Sequence, residues 1–270
     1  MGKFDGVLLV SDFDDTLYDS LHRIPPRNLE AIAYFQSQGG RFTVATGRAH
    51  RTFAPYVHLV PLNAPVILSN GAAIYDFQAD RPVEQTWLDG AAPRDLGAVL
   101  DRFPSLSIEA YHGEDIYVWN PNEITLAHMK KVNCDYTLCP VDQMPAPWVK
   151  ALFHQDHETL LAARDFLQET CPGRYEAIFS NPCYLEITRR GCNKGGMVAR
   201  LAGLLDIAPE HIYCVGDNQN DIPMLAVSAI PFAPANCAPE VREWGARILC
   251  HCNEGAVAQA IQILEEAYPE

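Results

Sequence analysis

Strand and helix patterns alternate regularly at both ends of the chain, and this alternation is the strongest constraint on the fold. The apolar segments at 6–11, 41–46 and 65–69 are typical of buried strands, and a helical pattern at 27–38 separates the first two. Strands that alternate with helices form a parallel sheet with helices on both faces. We therefore predict an α/β fold with a Rossmann-like parallel sheet.

The middle of the chain follows a different pattern. From about residue 80, paired strand patterns replace single ones, as at 106–111 and 115–119, where a short turn lies between them. Single strands and helices alternate again from the helical pattern at 194–205. Paired strands inside such a chain predict an inserted α+β domain. The predicted units are a core formed by 1–79 and 188–270 and an inserted domain formed by 80–187.

The composition limits the partners of the chain. It has 270 residues, of which 48% are hydrophobic and 20% charged, and its formal net charge is -14 at pH 7. This mixture is typical of a soluble globular protein. The negative charge argues against nucleic acids and membranes as partners, because their anionic surfaces attract basic patches. It allows a small anionic substrate if the pocket contains local cations. The oligomeric state is left open between a monomer and a small homo-oligomer.

Nine cysteines are scattered through the chain without the CxxC spacing of a metal or redox site. Several lie in apolar segments, where a reduced cysteine acts as a small hydrophobic residue. The apolar stretch before Asp12 is too short for the core of a secretion signal, and no segment approaches the length of a membrane span. We therefore expect a cytoplasmic location.

Polar residues that could do chemistry follow the predicted strands at their carboxyl ends. In open parallel sheets, ligands bind beyond these ends, because the loops that follow the strands meet there. Asn193 can cap a helix that begins at Lys194, and such a helix start can hold an anion. The candidate residues at this edge are Asp12, Asp14, Thr46, Gly47, Arg48, Asn70, Lys194, Asp217, Asn220 and Asp221.

Taken singly, these residues have ordinary explanations, since an aspartate can cap a helix and a lysine can lie at the surface. Their convergence at one edge favours chemistry instead. Asp12 and Asp217 would repel each other there unless a cation lay between them, and oxygen ligands with open positions favour Mg²⁺ over Zn²⁺. Lys194 and Thr46 could then hold the oxygens of a phosphoryl group. Asp12 could act as a nucleophile, and Asp14 could protonate the leaving oxygen and deprotonate water.

These residues and their spacing resemble the haloacid dehalogenase superfamily of phosphohydrolases. Asp12–Thr16 (DFDDT) matches its first motif, and Thr46 and Lys194 match the second and third. Gly216–Asp221 (GDNQND) matches the fourth. The segments ATGR, SNGA and LEIT, which begin at residues 45, 69 and 185, are similar to the Cof-type branch. That branch carries a C2-type (C2B) cap between the second and third motifs, and the predicted insert has its position and order of elements.

The resemblance implies a mechanism and a set of roles. Asp12 would form an aspartyl-phosphate, and Asp14 would act as acid and then as base. Mg²⁺ would bind the Asp12 carboxylate, the main-chain carbonyl of Asp14 and Asp217. Asp221 would support this metal site. The implied catalytic residues are Asp12, Asp14, Thr46 and Lys194. The implied substrate-binding residues are Thr46, Gly47, Arg48, Asn70, Lys194 and Asn220.

We therefore expect a Mg²⁺-dependent phosphatase that acts on small phosphorylated metabolites, sugar phosphates in particular. Two alternatives stay open: a phosphomutase, since some mutases share this core and type of cap, and a phosphate-binding regulator without turnover. A regulator has no need of the acid–base group at Asp14. Whether the cap aromatics Tyr111, Tyr117 and Trp119 contact a substrate is also left open. Asp15 stands where the family more often has glycine, and we expect this difference to be harmless.

Overall fold

The computed structural model describes residues 2–268, and within them the chain forms fourteen β-strands and nine α-helices. The strands are β1 (Leu8–Ser11), β2 (Arg41–Val44), β3 (Val66–Leu68), β4 (Ala73–Asp76), β5 (Arg81–Gln85), β6 (Ser107–His112), β7 (Asp115–Trp119), β8 (Thr137–Leu138), β9 (Lys150–His154), β10 (Tyr175–Asn181), β11 (Tyr184–Arg189), β12 (Ile212–Val215), β13 (Pro231–Ala233) and β14 (Arg247–Ile248). The helices are α1 (Pro26–Ser37), α2 (His50–Phe53), α3 (Ala92–Arg102), α4 (Glu123–Val132), α5 (His157–Thr170), α6 (Lys194–Leu204), α7 (Ile222–Ala226), α8 (Pro239–Trp244) and α9 (Ala256–Ala267).

A five-stranded parallel sheet in the order β14-β13-β12-β1-β2 forms the core of the fold. Successive side chains of β1 point to opposite faces, so Leu9 packs with Ile32 of α1 and Ile261 of α9. Leu8 and Val10 pack in a second cluster with α6. Burial of each such side chain contributes about 1.5–3 kcal/mol. The predicted Rossmann-like α/β core is confirmed, and β1 lies inside the sheet with its carboxyl end at Ser11.

The third predicted strand, β3, belongs to a second, smaller sheet. A single parallel bridge joins Ala45 to Ile67 of β3, and β3 otherwise pairs with β4 in the antiparallel sheet β3-β4-β5. The sequence pattern did not predict β4 or β5. Because β5 is mostly exposed and contains Pro82, it lacks the apolar alternation that indicates a strand. The predicted boundary between residues 79 and 80 falls in the turn that joins these two strands, and the domain boundaries stay a prediction.

A separate six-stranded sheet in the order β10-β11-β9-β6-β7-β8 forms the cap, together with α3, α4 and α5. Its pairs are antiparallel, except that β8 runs parallel to β7. One face of this sheet packs in an apolar cluster with α3 and α5 and contains Ile108, Ala110, Ala151, Phe153, Leu185 and Ile187. The opposite face, called the polar face below, carries the polar or aromatic side chains Glu109, Tyr111, Lys150, His154, Tyr184 and Glu186, together with the buried apolar residues Ile116, Val118 and Leu152. The predicted α+β cap is confirmed, and its second face mixes polar side chains with apolar ones.

Candidate active site

A cleft lies between the carboxyl edge of the parallel sheet and the polar face of the cap. The predicted residues that line it are Asp12, Asp14, Thr46, Gly47, Arg48, Asp217 and Asn220. The other three predicted residues, Asn70, Lys194 and Asp221, are buried behind this surface and hydrogen-bond to residues of the cleft. The structure therefore brings all the predicted site residues together at one edge, as expected when parallel strands end side by side.

Lys194 holds two buried carboxylates from different loops. Its Nζ donates to Asp12 Oδ1 and to Asp221 Oδ1, each at 2.5 Å. Lys194 is the first residue of α6, whose N-terminus is capped by the Asn193 side chain through a 2.9 Å bond from Gly196 N. Burial alone lowers the pKa of Lys194, but the two carboxylates outweigh burial and raise it. The lysine is therefore a permanent positive charge behind the nucleophile candidate.

Three acidic side chains lie close enough to share one cation. Carboxylate oxygens of Asp12, Asp217 and Asp221 all lie within 4.8 Å of one another. Burial raises the pKa of Asp12 and the Lys194 charge opposes this, while burial and the charge of Asp221 raise the pKa of Asp217 to about 7. When all three carboxyl groups are deprotonated, the one ammonium leaves two negative charges, which is the charge that a divalent cation balances. The donor set is all oxygen, and Mg²⁺ prefers such ligands, so the residues fit this ion.

Asp221 and Thr16 organise the loop that carries Asp217. The second oxygen of Asp221 accepts hydrogen bonds from Asp217 N at 2.9 Å and from Asn218 N at 3.0 Å. Thr16 Oγ1 donates to Asp217 Oδ1 at 3.0 Å. Both oxygens of Asp221 therefore have partners within the protein. One oxygen accepts from Lys194, and the other holds the main chain of the loop that carries Asp217. The predicted role of the Asp14 carbonyl as a ligand stays a prediction.

The carboxylate of Asp14 is held by Arg48. Two parallel hydrogen bonds join them, from Arg48 Nε to Asp14 Oδ2 at 2.8 Å and from Nη2 to Oδ1 at 2.7 Å. The guanidinium lies over the Tyr56 ring, 4.5 Å from its centroid. Such a fork fixes the plane of a carboxylate, which a single lysine charge does not. The structure thus shows Arg48 positioning Asp14, and a contact of Arg48 with a substrate stays a prediction.

Two buried asparagines leave polar atoms for a ligand. Asn220 Nδ2 donates to Asn70 Oδ1 at 2.9 Å, while Asn70 Nδ2 and Asn220 Oδ1 have no hydrogen-bond partner in the described chain. Buried polar atoms normally have a hydrogen-bond partner, so these two atoms are available to bind a polar ligand. A Cβ at Gly47 would lie 3.1 Å from Asn70 Nδ2, so glycine keeps the space above this donor open.

The cap contributes part of the cleft that the sequence pattern did not predict. Tyr111 lines the cleft, whereas Trp119 is 45% exposed and Tyr117 packs beside the apolar cap cluster. The other cap residues in the wall are His128, Lys131, Val132, Lys150, Ser180, Asn181, Tyr184 and Glu186. The LEIT segment contains Glu186, and the polar or aromatic positions of β11 alternate with apolar ones, whereas β9 is apolar between Lys150 and His154. That alternation was the available signal, since it places polar side chains on one face.

Comparisons with known proteins agree with this geometry. The model of a family described as haloacid dehalogenase-like hydrolase matches residues 9–261. An HMP-PP phosphatase of Yersinia enterocolitica is 26% identical over 94% of this chain and 94% of its own. The pyridoxal phosphate phosphatase YbhA of Escherichia coli is 24% identical over 94% of this chain and 97% of its own.

Solved structures show the same fold. A sugar phosphatase of subclass IIB of the superfamily superposes with a TM-score of 0.83 at 18% identity, covering 96% of this chain and 98% of its own. Among residues 2–268, no α-helix combines the length and apolar character needed to cross a bilayer. The predicted family and class of enzyme are confirmed: the chain belongs to the haloacid dehalogenase-like hydrolase family.

Proposed function

We propose that this hydrolase is a Mg²⁺-dependent phosphatase of small phosphorylated metabolites, sugar phosphates in particular, and that it acts through an aspartyl-phosphate on Asp12. The observation that carries the proposal is the position of Asp12, which lies in the cleft wall with Lys194 behind it and Asp217 beside it. The phosphatase names of relatives that match along nearly the whole chain, and the sugar phosphatase of similar fold, support it.

The first half-reaction follows from the two aspartates of the first motif. An oxygen of the Asp12 carboxylate attacks phosphorus, the bond from phosphorus to the ester oxygen breaks, and Asp14 gives its proton to the leaving oxygen. Lys194 lies 2.5 Å from Asp12 Oδ1 and can hold the negative charge of the transferring group. Thr46 lies in the cleft wall, where its hydroxyl can donate to a phosphoryl oxygen.

The second half-reaction restores the enzyme. Asp14, now a carboxylate, takes a proton from water as the water oxygen attacks phosphorus. The bond from phosphorus to the Asp12 oxygen breaks, and inorganic phosphate leaves. Arg48 keeps the Asp14 side chain at the edge of the cleft in both steps. Asp12 and Asp217 would hold Mg²⁺ with the Asp14 carbonyl, and the ion would neutralise charge on the phosphoryl group.

The test is a phosphate-release assay over p-nitrophenyl phosphate and a panel of sugar phosphates, with and without chelator. We expect free phosphate in amounts equal to the substrate consumed, a loss of more than about tenfold in rate with excess EDTA, and recovery when Mg²⁺ is added back. An isomerised sugar phosphate without free phosphate would indicate a mutase. Tight phosphate binding without turnover of any substrate would indicate a regulator. The cytoplasmic location and the oligomeric state stay predictions.

A further inference from the structure

The polar face of the cap sheet carries an ion pair in the wall of the cleft. Lys150 of β9 and Glu186 of β11 lie on this face, with Lys150 Nζ 2.9 Å from Glu186 Oε2. The two residues are 3% and 6% exposed. The ammonium also lies 4.7 Å from the centroid of the Tyr111 ring. The cap thus presents a positive and a negative group side by side to whatever occupies the cleft.

Stability does not explain this pair. Burial raises the pKa of Glu186, but the charge of Lys150 and hydrogen bonds from Lys150 and Ser180 outweigh it, and the pKa is lowered. Glu186 is therefore a carboxylate at neutral pH. Removing two charges from water costs about as much as their attraction returns, and a well-packed apolar pair would stabilise the cap equally well. A charged pair in a cleft wall is better suited to binding a polar ligand.

The pair also links the two loops that carry the candidate catalytic residues. Lys150 Nζ donates to Gly47 O at 3.1 Å, in the loop that follows β2. Ser180 Oγ donates to Glu186 Oε1 at 2.9 Å, and Ser180 O accepts from Asn218 Nδ2 at 3.2 Å, in the loop that follows β12. A continuous chain of hydrogen bonds therefore runs across the cap from Gly47 to Asn218. A group bound to this chain lies next to the phosphoryl site.

We propose that the Lys150–Glu186 pair recognises the leaving group and selects phosphate esters whose leaving group carries hydroxyls on adjacent carbon atoms. This inference rests on the proposed function. One hydroxyl of such a diol donates to the carboxylate, and its neighbour accepts from the ammonium. Among the described residues that line the cleft, only Ala49 and Val132 have aliphatic side chains. The wall therefore offers hydrogen-bonding groups and the rings of Tyr111 and Tyr184 rather than an aliphatic surface, and this favours a polyol over an aliphatic leaving group.

Glu186→Gln tests the proposal, because the amide keeps the size of the side chain and removes the anion. The readout is the ratio of kcat/KM for glucose 6-phosphate to kcat/KM for p-nitrophenyl phosphate, whose leaving group has no adjacent hydroxyls. We expect the ratio to fall about 10- to 100-fold, because a buried site built for a hydroxyl discriminates by this amount when a charged partner is lost. Ser180→Ala removes only one hydrogen bond to Glu186, and it should lower the ratio in the same direction if Glu186→Gln does not fold.

Asp95→Asn is the matched control. Asp95 is a buried cap carboxylate paired with Arg174 at 2.5 Å and with the Tyr175 hydroxyl at 2.9 Å, and it does not line the cleft. Its loss should lower stability and leave the ratio as in the wild type. A ratio unchanged in both Glu186→Gln and Ser180→Ala overturns the inference, as does a wild-type enzyme that cleaves p-nitrophenyl phosphate but no sugar phosphate. A wild-type enzyme that releases phosphate from no ester overturns the proposed function as well.

Discussion

Asp12 is the residue whose substitution separates chemistry from folding most cleanly. Asp12→Asn removes the nucleophilic oxygen anion, and we expect phosphate release to fall by at least about 1,000-fold. The amide should not lower the free energy of unfolding of the metal-free protein, because burial beside Asp217 and Asp221 already raises the pKa of Asp12 and disfavours its charge. Steady-state kinetics and urea unfolding in EDTA measure the two effects.

The neighbouring carboxylate provides the control for this substitution. Asp15 is exposed and makes the same change of charge when replaced by asparagine, so Asp15→Asn should keep activity within about threefold. Near-normal turnover in Asp12→Asn would remove Asp12 as the nucleophile.

Asp15 has a φ of 58°, in the left-handed region that glycine adopts freely and aspartate tolerates. This backbone conformation accounts for the glycine that the family more often has at this position.

At single positions, the sequence predicted which residues lie together in the site but not which side chains they contact. Asp12, Thr46 and Asp217 could be placed because each follows a strand that ends at the same edge. The contact of Arg48 with Asp14 depends on the direction of a long side chain over the Tyr56 ring, and no spacing in the sequence encodes it. The orientation of the Asn70 and Asn220 amides is set by their mutual hydrogen bond, which links residues 150 positions apart.

Elements with a strong apolar period were predicted with nearly their observed bounds. The sequence pattern over about 92–102 predicts a helix, and α3 lies at Ala92–Arg102 with its apolar face buried in the cap cluster. The sequence pattern near 227–231 predicts a strand, but the strand lies instead at Pro231–Ala233, after a turn. Short strands such as β13 are defined by hydrogen bonds to a neighbour, here β12, rather than by a pattern of their own.

The start of α4 offers a test at the scale of one element. Asn122 Oδ1 accepts from Thr125 N at 3.0 Å, and Asn122 Nδ2 donates to the carbonyl oxygen of His154 at 2.9 Å. Asn122→Ala leaves an N–H of the first turn and a strand carbonyl without these partners. We expect it to lower the free energy of unfolding by about 1–2 kcal/mol, measured by urea unfolding. Gln168→Ala, at an exposed position of α5, should change stability by less than about 0.5 kcal/mol. Equal stability of the two variants would show that the Asn122 side chain at the N-terminus of α4 contributes nothing to stability.

The joining of cap and core is a property of the whole molecule, and the sequence could not predict it. The contact of Lys150 with Glu186 requires β9 and β11 to be neighbours, and the contact of Lys150 with Gly47 requires the polar face of the cap to turn toward the core. Local patterns reveal that a strand has a polar face, but sheet order and the packing of one unit on another are set by contacts between distant residues. The cap half of the cleft therefore emerged only from the structure.

The stability of the folded molecule should depend on pH through His154, which is buried beneath the cap wall. Burial lowers the pKa of His154 to about 4, although the charge of Glu109 opposes it, and the ring packs against His128 and Tyr184. An imidazole in the unfolded chain has a pKa of about 6.5. Between these two values the unfolded chain binds a proton that the folded chain excludes. Acidification through this window therefore favours unfolding, and the free energy of unfolding should fall by up to about 3 kcal/mol between pH 6.5 and 4.

His154→Asn isolates this contribution, because an amide close to the position of Nδ1 can still meet Thr125 Oγ1, which lies 3.1 Å from that nitrogen, yet does not titrate. Urea unfolding at pH steps from 7.5 to 4.5 should give a flatter dependence in the variant than in the wild type. Near pH 7.5, where the wild-type ring is neutral in both states, the free energies of unfolding of the two proteins should differ. This difference should become smaller as the pH falls. His58→Asn, at an exposed position, should follow the wild-type slope. If the free energy of unfolding depended on pH in the same way in wild type and His154→Asn, the protonation of His154 would not differ between the folded and unfolded chains, and the prediction would be wrong.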